Sequence, residues 1–290
     1  MEVIFSTLIN GLSLGGIYAM IALGYTMVYG IAKMLNFAHG DIIMVGGYVI
    51  YVFMATHNPL LAVGMAVICC VILGMTVEKL AYKPLRGASP LAVLITAIGV
   101  SYLLQSLAQI IFGSAPKMVT VYDFGSIKLW GANVQVASLV TLGITVVVMA
   151  ALTLFVKYTR TGRAMIAVSE DKGAAQLMGI NVNGIITITF AIGSSLAALA
   201  GLFYLLKAPS VSNTMGAMPG IKAFTAAVIG GIGSIPGAML GGILLGMVES
   251  IAGKIAVIAP YTDAIEFSLL IIILLVRPTG FLGKKRREKV

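Results

Sequence analysis

The sequence predicts an all-α polytopic membrane protein with about eight membrane-embedded helical elements, one of them broken near residues 223–253. Three observations carry that prediction. Apolar residues make up 59% of the chain and charged residues only 10%, against about 45–50% and about 25% in soluble domains. With a mean hydropathy of +1.05, the excess cannot be hidden inside a soluble globule of this size and reads as several spans in one bundle. The 34 glycines and 16 methionines agree, because glycine is more frequent in membrane helices than in soluble ones. Finally, the net charge of +9 falls mainly in short loops and a tail. That is the distribution that sets topology, and it leaves no nucleic-acid footprint to explain.

Residues 7–30 form the first apolar span. Glu2 and the lack of a basic leader give no cleavable signal peptide, so this stretch is expected to stay in the membrane. A polar interruption from Lys33 to Asp41 follows, then a short apolar helix over 41–56 and a turn at Asn58-Pro59. Residues 60–77 span again. The loop 78–90 is basic, with Lys79, Lys83 and Arg86. Residues 91–112 span, and the longer polar loop 113–135 carries Trp130, the only tryptophan, as an interfacial anchor. Residues 136–156 span, 157–184 form the longest polar segment between spans, and 185–206 span. Residues 223–253 are apolar but broken by Gly230-Gly231-Ile232-Gly233-Ser234-Ile235-Pro236-Gly237. Residues 262–277 make the last span, ahead of a basic tail over 278–290 that includes Lys284, Lys285, Arg286, Arg287 and Lys289.

The bias of Lys and Arg fixes orientation. The tail, the loop 78–90 and the segment 157–184 are placed in the cytoplasm. The loops 113–135, 207–222 and 254–261 are placed outside. An odd number of crossings must then separate loop 207–222 from the tail. The segment 223–253 meets this if 223–231 dips inward, the Gly-Pro turn reverses it within the protein, and 237–253 climbs back. Such irregular backbone is tolerated where protein buries it or a watery cavity meets it, and broken helices often mark transport sites. The alternative is one tilted, kinked span. Small residues at every fourth position, as in Gly11/Gly15, Gly193/Ala197/Gly201, Gly237/Gly241 and Gly242/Gly246, let helix backbones approach closely.

Asp41, Glu249 and Glu266 need an interfacial depth or a polar partner, because a charge at the bilayer centre costs at least about 2.5–3.5 kcal/mol. Asn36, His39 and Asp41 gather an amide, an imidazole and a carboxylate ahead of a short helix. Asp41 as a helix cap and the cluster as part of a permeation path are both open. No G-x-x-x-x-G-K-[ST] phosphate loop is present, so the chain is not its own P-loop ATPase. Pro236 stands where a dinucleotide fingerprint needs its third glycine. With His39 and His57 the only histidines, no catalytic triad or zinc-ligand spacing appears, and no enzyme or metal site is expected. Cys69 and Cys70 are adjacent and read as packing residues.

The segment 157–184 carries the strongest functional signal. Ser169 and Asp171 are candidate N-caps and Gly179 a candidate C-terminal stop, which predicts a short amphiphilic helix near 170–178, too polar to span. A helix offered on the cytoplasmic face of a membrane domain suits docking into a partner's groove.

Five stretches together resemble the permeases of ABC importers for branched-chain amino acids: Gly16-Ile17-Tyr18-Ala19, Leu35-Asn36-Phe37-Ala38-His39-Gly40-Asp41, Thr161-Gly162-Arg163-Ala164, Ala174-Ala175-Gln176-Leu177-Met178-Gly179-Ile180 and Gly230 through Ala238. The resemblance runs end to end, and the length is that of the shorter of two paired permeases. It implies a single transmembrane permease domain over 1–290 that works by alternating access. It also implies a second homologous permease, two ABC ATPase subunits that use ATP and Mg, and an extracytoplasmic amino-acid-binding protein delivering leucine, isoleucine or valine. No cofactor is expected on this chain. Within the resemblance, Glu170, Asp171, Gly173, Ala174, Ala175, Met178 and Gly179 form the ATPase-coupling segment. Many ABC permeases carry Glu-Ala-Ala there. Here Glu170 is separated from Ala174-Ala175, so the family's salt-bridge role does not transfer to it. Asn36, His39, Asp41, Gly230, Gly231, Gly233 and Pro236 are the candidates for the translocation path. A urea or short-amide ABC permease shares the same regions. A passive channel or ion-coupled carrier, with the broken segment as its filter, is the reading from another class.

Overall fold

The computed structural model describes residues 2–55, 58–122, 124–129 and 131–283. Trp130 and the tail residues from Lys284 on, to which the sequence assigned roles, lie outside these, as does His57. Eleven α-helices follow in order among the described residues: α1 (Glu2–Ala32), α2 (His39–Met54), α3 (Pro59–Val77), α4 (Pro90–Phe112), α5 (Val136–Tyr158), α6 (Arg160–Glu170), α7 (Lys172–Leu177), α8 (Val182–Lys207), α9 (Ala217–Gly230), α10 (Ile235–Ala252) and α11 (Thr262–Val276). Helix α3 continues as a π turn over Glu78–Tyr82 and a 3-10 turn over Lys83–Leu85. Among the described residues seven helices are long and apolar enough to cross a membrane, while α2 and α9 are apolar but shorter. The expected loop 113–135 is not all coil: β2 (Ser126–Leu129) and β3 (Ala132–Gln135) pair as an antiparallel hairpin. β1 (Lys117–Met118) pairs with β4 (Ser210–Val211), tying this loop to the segment after α8.

Local chemistry explains the helix starts. Asn58, Ser89, Thr159, Asp171, Asn181 and Ser234 each accept a hydrogen bond from a backbone N–H in the first turn of the helix that follows. Proline stands in the first turn of α3, α4 and α10, where no hydrogen bond is lost.

The core is α1 and α8, wrapped by α2, α3, α9 and α10. The fourth-residue spacing does what it promised. Gly242 lies against Ala19, Gly246 against Gly15, and Gly11 against Met247 and Ser250, so α1 and α10 pack backbone to backbone in opposite directions. Gly193 meets Gly24, and Gly201 meets Ile43. Without a hydrophobic force between helices in lipid, this close approach is the main source of adhesion.

Most of the basic residues among the described ones gather at one end of the bundle. Lys33 follows α1, Lys79, Lys83 and Arg86 follow α3, Lys157, Arg160, Arg163 and Lys172 surround α6 and α7, and Arg277 ends α11. The segment from Gly30 to Met34, the α9–α10 turn and residues 279–283 share this end. Gly30 lies against Gly233, and the N–H groups of Phe281 and Leu282 donate to the carbonyls of Ile229 and Gly230, each at 2.9 Å.

Helices α2 and α9 are the unusual elements. After α1 reaches the basic end, residues 33–38 turn back inside the bundle. Helix α2 therefore starts beside Gly24, where His39 packs, about 12 Å below the end of α1 at 1.5 Å per residue. From the opposite end, residues 208–216 descend along α2, with Gly47 against Val211 and Met215, and α9 begins where Gly216 and Gly220 press on Gly40. The N-termini of the two short helices thus meet within the bundle. The same pattern repeats in opposite direction. Helix α1 packs on α9 and α10 as α8 packs on α2 and α3, α2 on α3 as α9 on α10, and α2 on α4 as α9 on α11. The helices α1–α4 and α8–α11 thus form two halves of inverted topology, joined by α5, α6 and α7.

Two sequence expectations change. Gly230 meets Gly237 and Ala226 meets Gly241, so α9 and α10 are an antiparallel hairpin that enters and returns, not one kinked span. Its turn, however, lies at the basic end, and the irregular backbone at depth is 33–38 and 208–216. Helix α9 also starts at residue 217, six residues ahead of the expected half-helix.

Candidate functional site

Three places hold the sequence-predicted site residues, and they do not form one site. The first is α6–α7 at the basic end. Thr159 opens α6 by accepting from the Gly162 N–H at 3.0 Å while its hydroxyl donates to the Phe155 carbonyl at 2.7 Å. A Cβ on Gly162 would strike the backbone of Phe155 and Val156. The Thr161-Gly162 pair is therefore a tight helix–helix corner. Gly162, Met165 and Val168 are buried on one face of α6. Asp171 then caps α7, accepting from the Ala174 N–H at 3.0 Å. Ser169 is no cap; it lies inside α6 and its hydroxyl donates to the Ile166 carbonyl. The end of α7 is a Schellman motif: Ile180 N–H donates to Ala175 and Gly179 N–H to Gln176, both at 3.0 Å, with Gly179 at φ +82°. Both features are those the sequence named. Ala175 is buried as the foot of this small helix, whereas Glu170, Asp171, Gly173, Ala174 and Gly179 are exposed. Leu177 and Met178 stand out at its tip, 90% and 82% exposed.

The second place is the junction of α2 with α9. Asn36 is buried, and its Oδ1 accepts from the Tyr82 hydroxyl at 2.8 Å. His39 is buried against Tyr25, ring centroids 4.8 Å apart, in space left by the absent side chain of Gly24. Asp41 is not a cap. The cap position belongs to Ala38, which makes no side-chain bond, and Asp41 faces α4, its Oδ1 accepting from Gln105 Nε2 at 2.8 Å. Asn36 Nδ2 and His39 Nε2 are buried with no hydrogen-bond partner. The crevice beside them, lined by Tyr25, Tyr29, Asn36, Phe224 and Ile232, has no room for a solute in this conformation.

The third is the α9–α10 turn. Gly231 and Gly233 hold φ +109° and +93°, a left-handed backbone that favours glycine, and Pro236 sits in the first turn of α10. Residues 279–283 cover the turn, with Gly280 against Gly231.

Sequence reasoning missed Lys222. It was read into an outer loop, yet it is buried in the second turn of α9. Its Nζ lies 2.8 Å from Asp263, 3.1 Å from Glu249 and 3.2 Å from Glu266. Glu249 Oε2 also accepts from the Tyr18 hydroxyl at 2.6 Å. Glu249 and Glu266, which had no visible partner in the sequence, thus share one. The arrangement mirrors Asp41 with Gln105: in each half, a charged residue in the first two turns of the short helix binds the last long helix. Glu78, read as part of a basic loop, is likewise buried, held by Arg86 and by the Thr187 hydroxyl at 2.8 Å. Among the described residues no group of three His, Cys, Asp or Glu side chains suits a metal ion.

Comparison with known proteins shows the family. Residues 7–274 match the family described as "Branched-chain amino acid transport system / permease component". The high-affinity branched-chain amino acid transport system permease protein BraD of Pseudomonas aeruginosa is 42% identical over 298 residues, covering 98% of this chain and 97% of that protein. LivH of Escherichia coli, a permease protein of the same description, is 42% identical over 296 residues, covering 97% and 96%. An inward-facing metal-chelate-type ABC transporter shares the fold, with a TM-score of 0.53 at 15% identity over 94% of this chain and 87% of that one. The five signature stretches, the polytopic helical bundle and these matches agree, and the chain belongs to the family of branched-chain amino acid transport system permease components.

Proposed function

We propose that this chain is one of two paired permeases through which an ABC importer moves leucine, isoleucine or valine into the cell by alternating access, the energy coming from two separate ATPase subunits that use ATP and Mg. The relatives' names support the solute. The basic end is then cytoplasmic, by the distribution of Lys and Arg, and the C-terminus lies on that side of the inner membrane. An extracytoplasmic binding protein delivers the amino acid at the opposite end, and a second homologous permease completes the pathway. Nucleic acid has no part in it.

One observation carries the reading: α7, capped at both ends and founded on the bundle through Ala175, presents Leu177 and Met178 to the outside of the chain. Exposed apolar side chains at a polar membrane face are expected to enter a partner's groove. ATPase closure would move α7 and α6 together, since one residue, Asp171, separates them. The displacement would reach the α2–α9 junction, where two short helices can shift without unwinding a long one. Co-purification from cells expressing the whole transporter tests the docking step. Leu177→Asp with Met178→Asp is expected to lower the ATPase recovered with the permeases at least tenfold, while the same pair of changes to Ala is expected to lower it less. Full recovery with both aspartates in place would sink the assignment.

A further inference from the structure

A cavity of about 520 Å³ opens at the basic end, beside α7 but separate from its exposed tip. Three cations from three distant stretches of chain stand on it: Lys33 after α1, Arg86 after the 3-10 turn and Lys172 at the start of α7. The one carboxylate paired there, Glu78, is fully buried and held by Arg86 and Thr187. Counting these four groups, the cleft carries a formal charge of +2. Lys172 donates to the Ala32 carbonyl at 2.8 Å, Lys33 donates to that of Gly30, and Arg86 donates to Asn183 as well as Glu78. An ammonium has three N–H donors and a guanidinium five, more than the one bond of Lys172 and the two of Arg86 use. Its charges repel one another: the Lys172 ammonium is held below the usual lysine range, first by burial and then by the Arg86 charge.

The other wall of the cleft is apolar, made by Met34, Leu35, Val93, Leu94 and Ile186. Helix α4, which supplies Val93 and Leu94, also exposes Leu91, Ile95 and Ile98 and is a candidate membrane span. Basic residues that merely set topology stand on a rim and point to water. These three converge on a concave site whose other wall carries the apolar side chains of Met34, Leu35, Val93, Leu94 and Ile186. A small soluble anion would neutralise the charge and leave that wall uncovered.

We propose that this cleft binds the phosphate headgroup of an anionic phospholipid from the leaflet at the basic end, with its acyl chains against α4. Basic pockets between membrane helices recognise such headgroups through charge and hydrogen bonds. Lys172 is the first residue of α7, so the bound headgroup would brace the start of that helix against α1 and α4.

The test reads binding, not transport, so it can fail while the permease reading stands. The assembled transporter is purified in a neutral detergent. Its melting temperature is measured with short-chain phosphatidylglycerol, short-chain phosphatidylcholine or glycerol 3-phosphate, and retained lipid is counted by native mass spectrometry. Phosphatidylglycerol is expected to raise the melting temperature and to be retained. Lys33→Gln with Lys172→Gln is expected to cut the retained lipid at least threefold. Arg86→Gln alone would strand Glu78, so it is made together with Glu78→Gln, and the same loss is expected. Equal effects of the two lipids, or retention unchanged in both variants, would overturn the proposal. Stabilisation by glycerol 3-phosphate equal to that by phosphatidylglycerol would mean a soluble-anion site and overturn the lipid assignment.

Discussion

Lys222 shows why a buried charge survives inside an apolar bundle. A lone ammonium there would be costly, and so would Glu266, whose side chain is wholly buried. Each is tolerable because the other is present. Lys222→Met is therefore expected to cost about 3–5 kcal/mol, the usual loss when one partner of a buried ion pair is removed. Lys222→Met with Glu266→Gln is expected to recover part of that. Melting curves of the purified permease in detergent check both, and a single variant as stable as the parent would contradict this account of the cluster. Gly179 makes a smaller claim. At φ +82° a side chain is strained, so Gly179→Ala is expected to loosen the end of α7 by about 1 kcal/mol, seen as faster hydrogen exchange over 172–180. None of the partners of Lys222 is local: Glu249, Asp263 and Glu266 lie on two later helices. Sequence shows that a buried carboxylate needs a partner, but it does not show which one.

Among the elements, the long spans and the α7 caps were legible in the sequence because their causes are local. Apolar length sets a span, and Asp171 and Gly179 lie within one turn of the helix they bound. The short helices were only half legible. The break at 230–237 announced a hairpin, but its depth depends on how tightly α9 packs on α2, which is a tertiary fact. Gly40 and Gly216 are the contact: a Cβ on Gly216 would run into the Gly40 carbonyl. Gly216→Ala is accordingly expected to push α9 away from α2 and to abolish uptake, whereas Gly99→Ala, with nothing within 4 Å of the added carbon, is expected to be silent. Uptake normalised to membrane-inserted protein distinguishes the two. Equal behaviour of the two variants would mean that the α2–α9 contact is not needed. Asp41 illustrates the same limit. Its place ahead of an apolar run suggested a cap, but its partner, Gln105, is 64 residues away.

At the scale of the whole molecule, two inverted four-helix halves surround a junction of short helices, and the α5–α7 connection brings α7 to the basic end. The long helices, packed through glycine, resist bending; the short ones have irregular backbone at the end that meets the other half, where small shifts need break few helical hydrogen bonds. This division suits a permease. The most direct test is uptake of labelled leucine into proteoliposomes containing the two permeases, the ATPase subunits and the binding protein, with ATP on the side of the basic end. Uptake is predicted to require ATP and all the subunits, and to fall at least tenfold with Leu177→Asp and Met178→Asp. Leucine uptake by this chain alone without ATP, or undiminished uptake with both aspartates at the α7 tip, would contradict it.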